Sequence, residues 1–204
     1  MSVKKPQGTL FVVATPLGNL DDITQRALQT LRQAAVVACE DTRRTRGLLS
    51  RFAITPPRVT SCHKFNERSQ AEPLLDVLRS GGDVALVTDS GTPGISDPGS
   101  LVVAAAFEAG LPVCPIPGPS AVAAAVSVAG FLAPSYLFMG FLPRKAGQRR
   151  TLLAALAAEP RPVVFFEAPH RAPAMVADLA AAFGDRPVTM LREMTKVHEE
   201  VRRT

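Results

Sequence analysis

The residues of this chain best suited to chemistry sit in short polar loops, each following an apolar run. One run ends in Thr88-Asp89-Ser90-Gly91-Thr92-Pro93-Gly94-Ile95-Ser96-Asp97-Pro98-Gly99. Its glycines and prolines expose peptide N–H and C=O groups without side-chain obstruction, which suits close contact with a small ligand. Pro117-Gly118-Pro119-Ser120-Ala121, one helix and one strand later, is a second loop of this kind. Two such loops at the carboxyl ends of neighbouring strands form the crevice in which open α/β sheets hold ligands. The expectation is a ligand-binding enzyme.

Three further loops carry polar groups. Ala14-Thr15-Pro16-Leu17-Gly18-Asn19-Leu20 joins a strand to a helix, as phosphate-binding turns do, but has neither G-x-G-x-x-G nor G-x-x-x-x-G-K-[ST], so nucleoside triphosphate binding is disfavoured. Cys39-Glu40-Asp41-Thr42-Arg43-Arg44-Thr45-Arg46 sets two acids at a strand end and three arginines in the first turns of a helix. Arginines there oppose the helix dipole, which is more natural beneath an anionic substrate. Cys62-His63-Lys64-Phe65-Asn66-Glu67 ends another strand, and Phe65 could stack on a nucleobase. His63, His170 and His198 share no metal-ligand spacing, and no metal site is expected. G-x-S-x-G is absent, so Ser90 and Ser120 read as hydrogen-bonding loop residues instead of nucleophiles.

Apolar runs alternate with helical patterns, the signature of βαβ units around a mainly parallel sheet. Strands are predicted over Thr9 to Thr15, Ala35 to Cys39, Arg58 to His63, Asp83 to Thr88 and Pro112 to Ile116. Between them lie a helix capped by Asp21/Asp22, a basic helix over Thr42 to Phe52, and one over Asn66 to Ser80. Asp97 as N-cap with Pro98 at the first position starts the next helix, and Ser120 to Ala129 forms another. Phe131-Leu132-Ala133-Pro134 reads as a linker, placing a boundary near residue 133: an N-terminal α/β domain over 1–133 and a second over 134–204. The second shows strands over Tyr136 to Phe141, Val163 to Phe166 and Val188 to Arg192, with helices over Thr151 to Ala158 and His170 to Phe183.

At 204 residues the chain can bury a substantial core. Its net charge of +5 is carried mostly by arginine and is uneven: residues 1–51 sum to +4, 52–134 to −3 and 135–204 to +4. Guanidinium groups grip phosphate bidentately, so a polyanion such as RNA suits this excess, as would a plain solvated surface. Cys39, Cys62 and Cys114 form no disulfide or zinc pattern and point to a reducing, cytoplasmic setting. The start Met1-Ser2-Val3-Lys4-Lys5 with Leu10 to Ala14 is too short for a signal peptide, and Ala121 to Leu132 is too short to span a bilayer; no membrane association is expected.

Taken together, several motifs resemble the tetrapyrrole-methylase-like, class III S-adenosylmethionine-dependent methyltransferases. They are Val13 to Leu20, Glu40-Asp41-Thr42-Arg43, Asp89 to Gly99, Pro117 to Ala121, Phe141-Leu142-Pro143, Glu167-Ala168-Pro169-His170-Arg171 and Arg192-Glu193-Met194-Thr195-Lys196. Within that family they resemble the branch that methylates the ribose 2′-hydroxyl of a cytidine in 16S rRNA of the small (30S) ribosomal subunit. The resemblance implies two α/β domains with S-adenosyl-L-methionine in a cleft between them, a homodimer, and a cytoplasmic RNA substrate. It also implies further strands and a small domain beyond the Thr-Lys segment, so the second domain is short at its carboxyl end, with an open sheet edge and an incomplete pocket.

By motif position, the resemblance assigns Leu17, Thr92, Ile95, Ser120 and Ala121 to the cofactor, with Met139, Gly140 and Phe166 from the second domain. A ribose hydroxyl is a poor nucleophile, so a base should assist, and Asp89, Glu40 and Lys196 are the candidates. Each has an ordinary alternative: Asp89 as a loop cap, Glu40 paired with Arg43, Lys196 as a solvated charge. Arg43, Arg44, Arg46, Arg144, Lys145, Arg149, Arg150 and Arg171 are expected to rim the cleft and contact RNA. Two other functions share the shell: methylation of a tetrapyrrole in cobalamin or sirohaem synthesis, and a catalytically silent RNA-binding or dimerisation module.

Overall fold

A computed structural model describes residues 6–204, so Met1 to Lys5 and the sequence reading on them lie outside the described residues. The chain divides into two compact units, residues 1–121 and 122–204, against the sequence boundary near 133.

The first unit is a parallel sheet covered by helices on both faces. Its strands are β1 (Leu10–Val13), β2 (Val36–Cys39), β3 (Val59–Ser61), β4 (Val84–Val87) and β5 (Val113–Ile116). Their order is β3-β2-β4-β1-β5, with β1 pairing in parallel register with β4 on one side (Leu10 opposite Val84) and β5 on the other (Leu10 opposite Val113). The loops after β4 and β5 therefore do not end neighbouring strands, as the sequence reading has it. β1 lies between them, which puts the Ala14 to Leu20 loop between the other two at the carboxyl edge.

Alternation along the strands decides the two faces. Val36, Ala38, Val84 and Leu86 pack with Leu74, Leu75 and Leu78 of α3 (Glu67–Arg79) and with Val102 and Ala106 of α4 (Ser100–Glu108). Val37, Cys39, Ala85 and Val87 pack with Ala27 and Leu31 of α1 (Gln25–Gln33) and Leu49 of α2 (Thr42–Arg51).

Helix starts depart from the sequence reading in two places. The cap of α1 is Thr24, whose side chain accepts from Ala27 N at 3.1 Å, because Asp21 and Asp22 are taken up in a separate 3₁₀ turn begun by Asn19. Asp97 does not cap α4. That helix starts after Gly99, whose φ of 133° suits glycine and supplies no capping side chain.

The second unit begins inside α5 (Ala121–Val128). β6 (Leu137–Phe141) pairs in parallel with β7 (Val163–Phe166), and α6 (Ala146–Ala155) and α7 (Ala172–Phe183) pack together. The core here is small: Leu142, Leu153 and Met175 are its buried side chains. α6 starts five residues before the predicted Thr151, as its first turn is polar and breaks the apolar pattern. The charged end of the chain forms β9 (Glu200–Arg203), antiparallel to β8 (Thr189–Arg192), where the sequence reading has no strand. Among the described residues no helix is long and apolar enough to cross a membrane.

Candidate functional site

The carboxyl edge of the first unit's sheet holds a cleft of about 250 Å³ lined by Thr15, Leu17, Gly18, Arg44, Thr88 and Asp89, among others. Three strand-ending loops are stitched together at this edge, those after β1 and β4 lining the cleft and the one after β5 standing outside its lining. Thr15 and Gly91 exchange main-chain hydrogen bonds at 2.9 and 3.0 Å, and the buried Thr15 hydroxyl donates to the Thr88 carbonyl at 3.1 Å. Ser90 Oγ donates to the Leu17 carbonyl, and Thr92 Oγ1 donates to the Pro119 carbonyl at 3.1 Å. Gly91, at φ 83°, is tightly placed: a Cβ there would lie 3.2 Å from Leu17 Cδ2. A side chain would strain the turn and press on the loop that lines the cleft.

Asp89 joins this lattice to the β2 loop. Its Oδ1 accepts from Asp41 N at 3.1 Å, and its Oδ2 faces Arg44 Nη1 at 3.4 Å. Asp41 is the N-cap of α2, accepting from Arg43 N at 2.8 Å, and its carboxylate also pairs with the Arg43 guanidinium. Arg43 thus pairs with Asp41 and not with Glu40. Arg43 and Arg44 at the start of α2 are each paired with a protein carboxylate. Both keep most of their side-chain surface in solvent, 89% for Arg43 and 71% for Arg44.

Glu40 and Asp89 are brought together. Partial burial lifts the Glu40 carboxyl above its ordinary range, and the Asp89 charge adds to the lift. Asp97 feels the same cluster: burial first, then Glu40 and Asp89, push its carboxyl up to about 6. The sequence reading spends Asp97 on helix capping and misses it as a titrating group. Its neighbour Ser96 holds φ 64°, a left-handed turn unusual for a residue with a side chain. Lys196 lies in the second unit, paired with Glu193 at 3.3 Å.

The 91–99 loop has a support that sequence reasoning also misses. Glu67, only 5% exposed, reaches from α3 so that one oxygen accepts from Gly99 N and Leu101 N at 2.8 Å and from Val102 N at 3.4 Å. It supplies the cap that Gly99 lacks, anchoring the far end of the loop that carries Thr92, Ile95 and Asp97. Ile95 is exposed at the tip, and Ser120 and Ala121 stand where α5 begins.

In the second unit, Gly140 sits at a bulge between β6 and β7 with φ 62°, next to Met139. Phe166 stacks edge-on against Phe138 and Phe141, centroids 4.9 and 5.6 Å away. The arginines there correct the expected RNA rim. Arg149 is buried, its Nε 2.7 Å from Asp178, and Arg171 turns inward to Glu167 and the Leu142 carbonyl. A buried cation needs a fixed counter-charge, and these two have one, so neither is free for phosphate. Arg150 shares Asp178 but stays exposed. Arg46 lies on α2, and Arg144 and Lys145 on the exposed approach to α6. Among the described residues no three histidine, cysteine or carboxylate side chains are grouped to hold a metal ion.

Comparison with known proteins places this geometry. Residues 9–204 match the model of the tetrapyrrole (corrin/porphyrin) methylases. The chain is 50% identical over 193 residues to a ribosomal RNA small subunit methyltransferase I of Micromonospora olivasterospora, spanning 95% of this chain and 61% of the relative. It is 48% identical to the protein of that name in Pseudomonas aeruginosa, over 96% of this chain and 69% of the relative, and 45% identical to that of Thermotoga maritima, over 95% and 86%. The chain therefore covers roughly three fifths to nine tenths of the length of these relatives. In fold it is similar to cobalt precorrin-4 methyltransferase (TM-score 0.68, 21% identity, 96% of this chain and 84% of the other). It is likewise similar to uroporphyrin III C-methyl transferase of Thermus thermophilus (TM-score 0.67, 18% identity, 97% and 88%). The chain belongs to the tetrapyrrole (corrin/porphyrin) methylase family.

Proposed function

We propose that this chain carries S-adenosylmethionine-dependent methylation of a cytidine ribose 2′-hydroxyl in 16S rRNA. The observation that carries the proposal is the identity of 45–50%, over some 95% of this chain, to proteins named ribosomal RNA small subunit methyltransferase I. The likeness to tetrapyrrole enzymes, at 18–21% identity, speaks to fold and not to substrate.

The first unit's cleft suits the cofactor. Leu17 and Asp89 line it, Thr92, Ile95, Ser120 and Ala121 stand on the adjoining loops outside that lining as the further cofactor contacts proposed, and the Asp89 and Glu40 carboxylates favour a ligand bearing sulfonium and ammonium charges. The positive-φ Gly91 keeps the turn beside Leu17 free of a side chain. Bound S-adenosylmethionine would supply a methyl group already activated on sulfur, so the protein's part is alignment and proton removal. Glu40, lifted above the ordinary carboxylate range, and Asp97, pushed up to about 6, are the groups proposed to take the ribose proton. Asp89, engaged with Asp41 N and Arg44, is better suited to hold the loops in place.

Arg43, Arg44 and Arg46 on α2 are the phosphate contacts proposed for the first unit, and Arg144, Lys145 and Arg150 those proposed for the second. Replacing Arg43 and Arg44 with glutamine should weaken 30S binding and flatten its salt dependence, lowering the slope by about one for each phosphate no longer neutralised. Calorimetric titration with S-adenosylmethionine tests the enzyme reading: one binding event per chain supports it, and the absence of binding heat favours the silent module. A second copy of the chain as partner is part of the same proposal, to be checked by sedimentation.

A further inference from the structure

Phe65 stands 85% exposed in the loop after β3, and nothing in the proposed chemistry of the cleft uses it. A single exposed apolar side chain is ordinary. What sets this one apart is the turn that presents it. Asn66 fastens the turn with its side chain, accepting from His63 N at 2.7 Å and donating to the Ser61 carbonyl and hydroxyl at 3.2 and 3.1 Å. Phe65 N donates to His63 Nδ1 at 3.3 Å, and Asn66 N and Glu67 N both donate to the His63 carbonyl. The ring is thus held out on a braced tip. Lys64 Nζ lies 4.8 Å from its centroid, and His63 meets it edge-on at 6.1 Å. The ammonium covers part of the ring and adds positive charge beside it, while the rest of the ring faces solvent.

The position is as telling as the presentation. β3 is the edge strand beside β2, and β2 is beside β4. At roughly 5 Å per strand, the β3 loop lies about 10 Å across the carboxyl edge from the loop that begins at Asp89. His63 is close enough for its charge to act on Glu40. A nucleotide whose ribose reached the carboxylates would carry its neighbour toward Phe65.

We infer that the Phe65 ring is a stacking platform for an unpaired RNA base flanking the nucleotide that reacts, an inference that rests on the RNA reading above. Stacking of this kind accepts any base, because every base has a π-face, and the nearby Lys64 serves the adjoining phosphate. The platform thus contributes hold on the RNA without reading its sequence.

The chain has no tryptophan, so Phe65→Trp places its sole indole at the platform. The variant is titrated with single-stranded oligocytidylate and with an abasic ribose-phosphate oligomer of equal length, binding being followed separately by anisotropy. Indole emission should be quenched by the first and unchanged by the second. In parallel, Phe65→Ala should raise KM for 30S subunits roughly tenfold, with S-adenosylmethionine affinity unchanged and Phe65→Trp restoring the wild-type KM. Bound oligocytidylate without quenching, or a Phe65→Ala variant with wild-type KM, overturns the platform while leaving the methyltransferase reading intact. Failure of the unaltered protein to bind or methylate RNA overturns both.

Discussion

In the first unit the loop from Thr88 to Gly99 is held by main-chain pairing to Thr15 and by the buried Glu67 carboxylate. In the second, the loop from Glu193 to Glu199 is held by exposed groups: Lys196 on Glu193, and Thr195 N donating to Glu199. Beneath them the supports differ too. The first unit fills both faces of its sheet with buried leucine, valine and alanine, while the core cluster of the second has three buried side chains, Leu142, Leu153 and Met175. Exposed ion pairs contribute little to stability, whereas a buried carboxylate serving several N–H groups is costly to remove. The proposed cofactor loop is therefore set before any ligand arrives, and the second unit is the part open to local unfolding.

The largest effect should come from the smaller core. Leu153 is fully buried in this small core, and Leu153→Ala should cost about 3 kcal/mol. Hydrogen exchange should show the destabilisation confined to residues 122–204 while β1, β2 and β4 keep their protection; equal weakening of both units would break the comparison. Next, Glu67→Ala leaves the N–H groups of Gly99 and Leu101 without their acceptor, at a cost of about 1–3 kcal/mol. It should weaken S-adenosylmethionine binding at temperatures where the variant stays folded, and Glu67→Gln, which keeps an acceptor oxygen, should recover most of that affinity. An unchanged affinity in Glu67→Ala would show that the loop does not depend on this cap.

The smallest effect sharpens the site. The Asp97 carboxyl titrates at about 6 in the folded chain against an ordinary 3.8, so the folded state holds this proton more tightly than the unfolded chain does. Its contribution to stability is complete below pH 3.8 and is lost as pH rises through 6. Asp97→Asn should match the parent near pH 4 and exceed it at pH 7 by on the order of 1 kcal/mol, allowing for solvent screening of a half-exposed group. Urea denaturation at the two pH values checks this; a gap of the same size at both would mean the carboxyl is not perturbed.

The strands were legible because each central one is a short, wholly apolar run flanked by turn residues, as in Val84 to Val87 before Thr88 and Asp89. The loop chemistry was legible for the same reason: glycine and proline at 91–99 and 117–119 have few other uses. What stayed hidden depends on partners distant in the chain. Glu67 caps a helix 32 to 35 residues away, and Arg149 meets Asp178 29 residues on. Neither residue differs in type from a surface charge. β9 was missed because its Glu-Val-Arg-Arg composition resembles a solvated tail, and only pairing with β8 makes it a strand. The order of the sheet was missed too, since β4 inserts between β1 and β2 through contacts that local pattern does not encode.

The most direct test of the central claim is mass mapping of ribose methylation on 30S subunits incubated with this protein and methyl-labelled S-adenosylmethionine. Label is expected on the 2′-oxygen of a 16S rRNA cytidine, abolished by Asp89→Ala and strongly reduced when Glu40 and Asp97 are both made amides. Label on a base or on a uroporphyrinogen-like substrate instead, or full transfer by those variants, would contradict it.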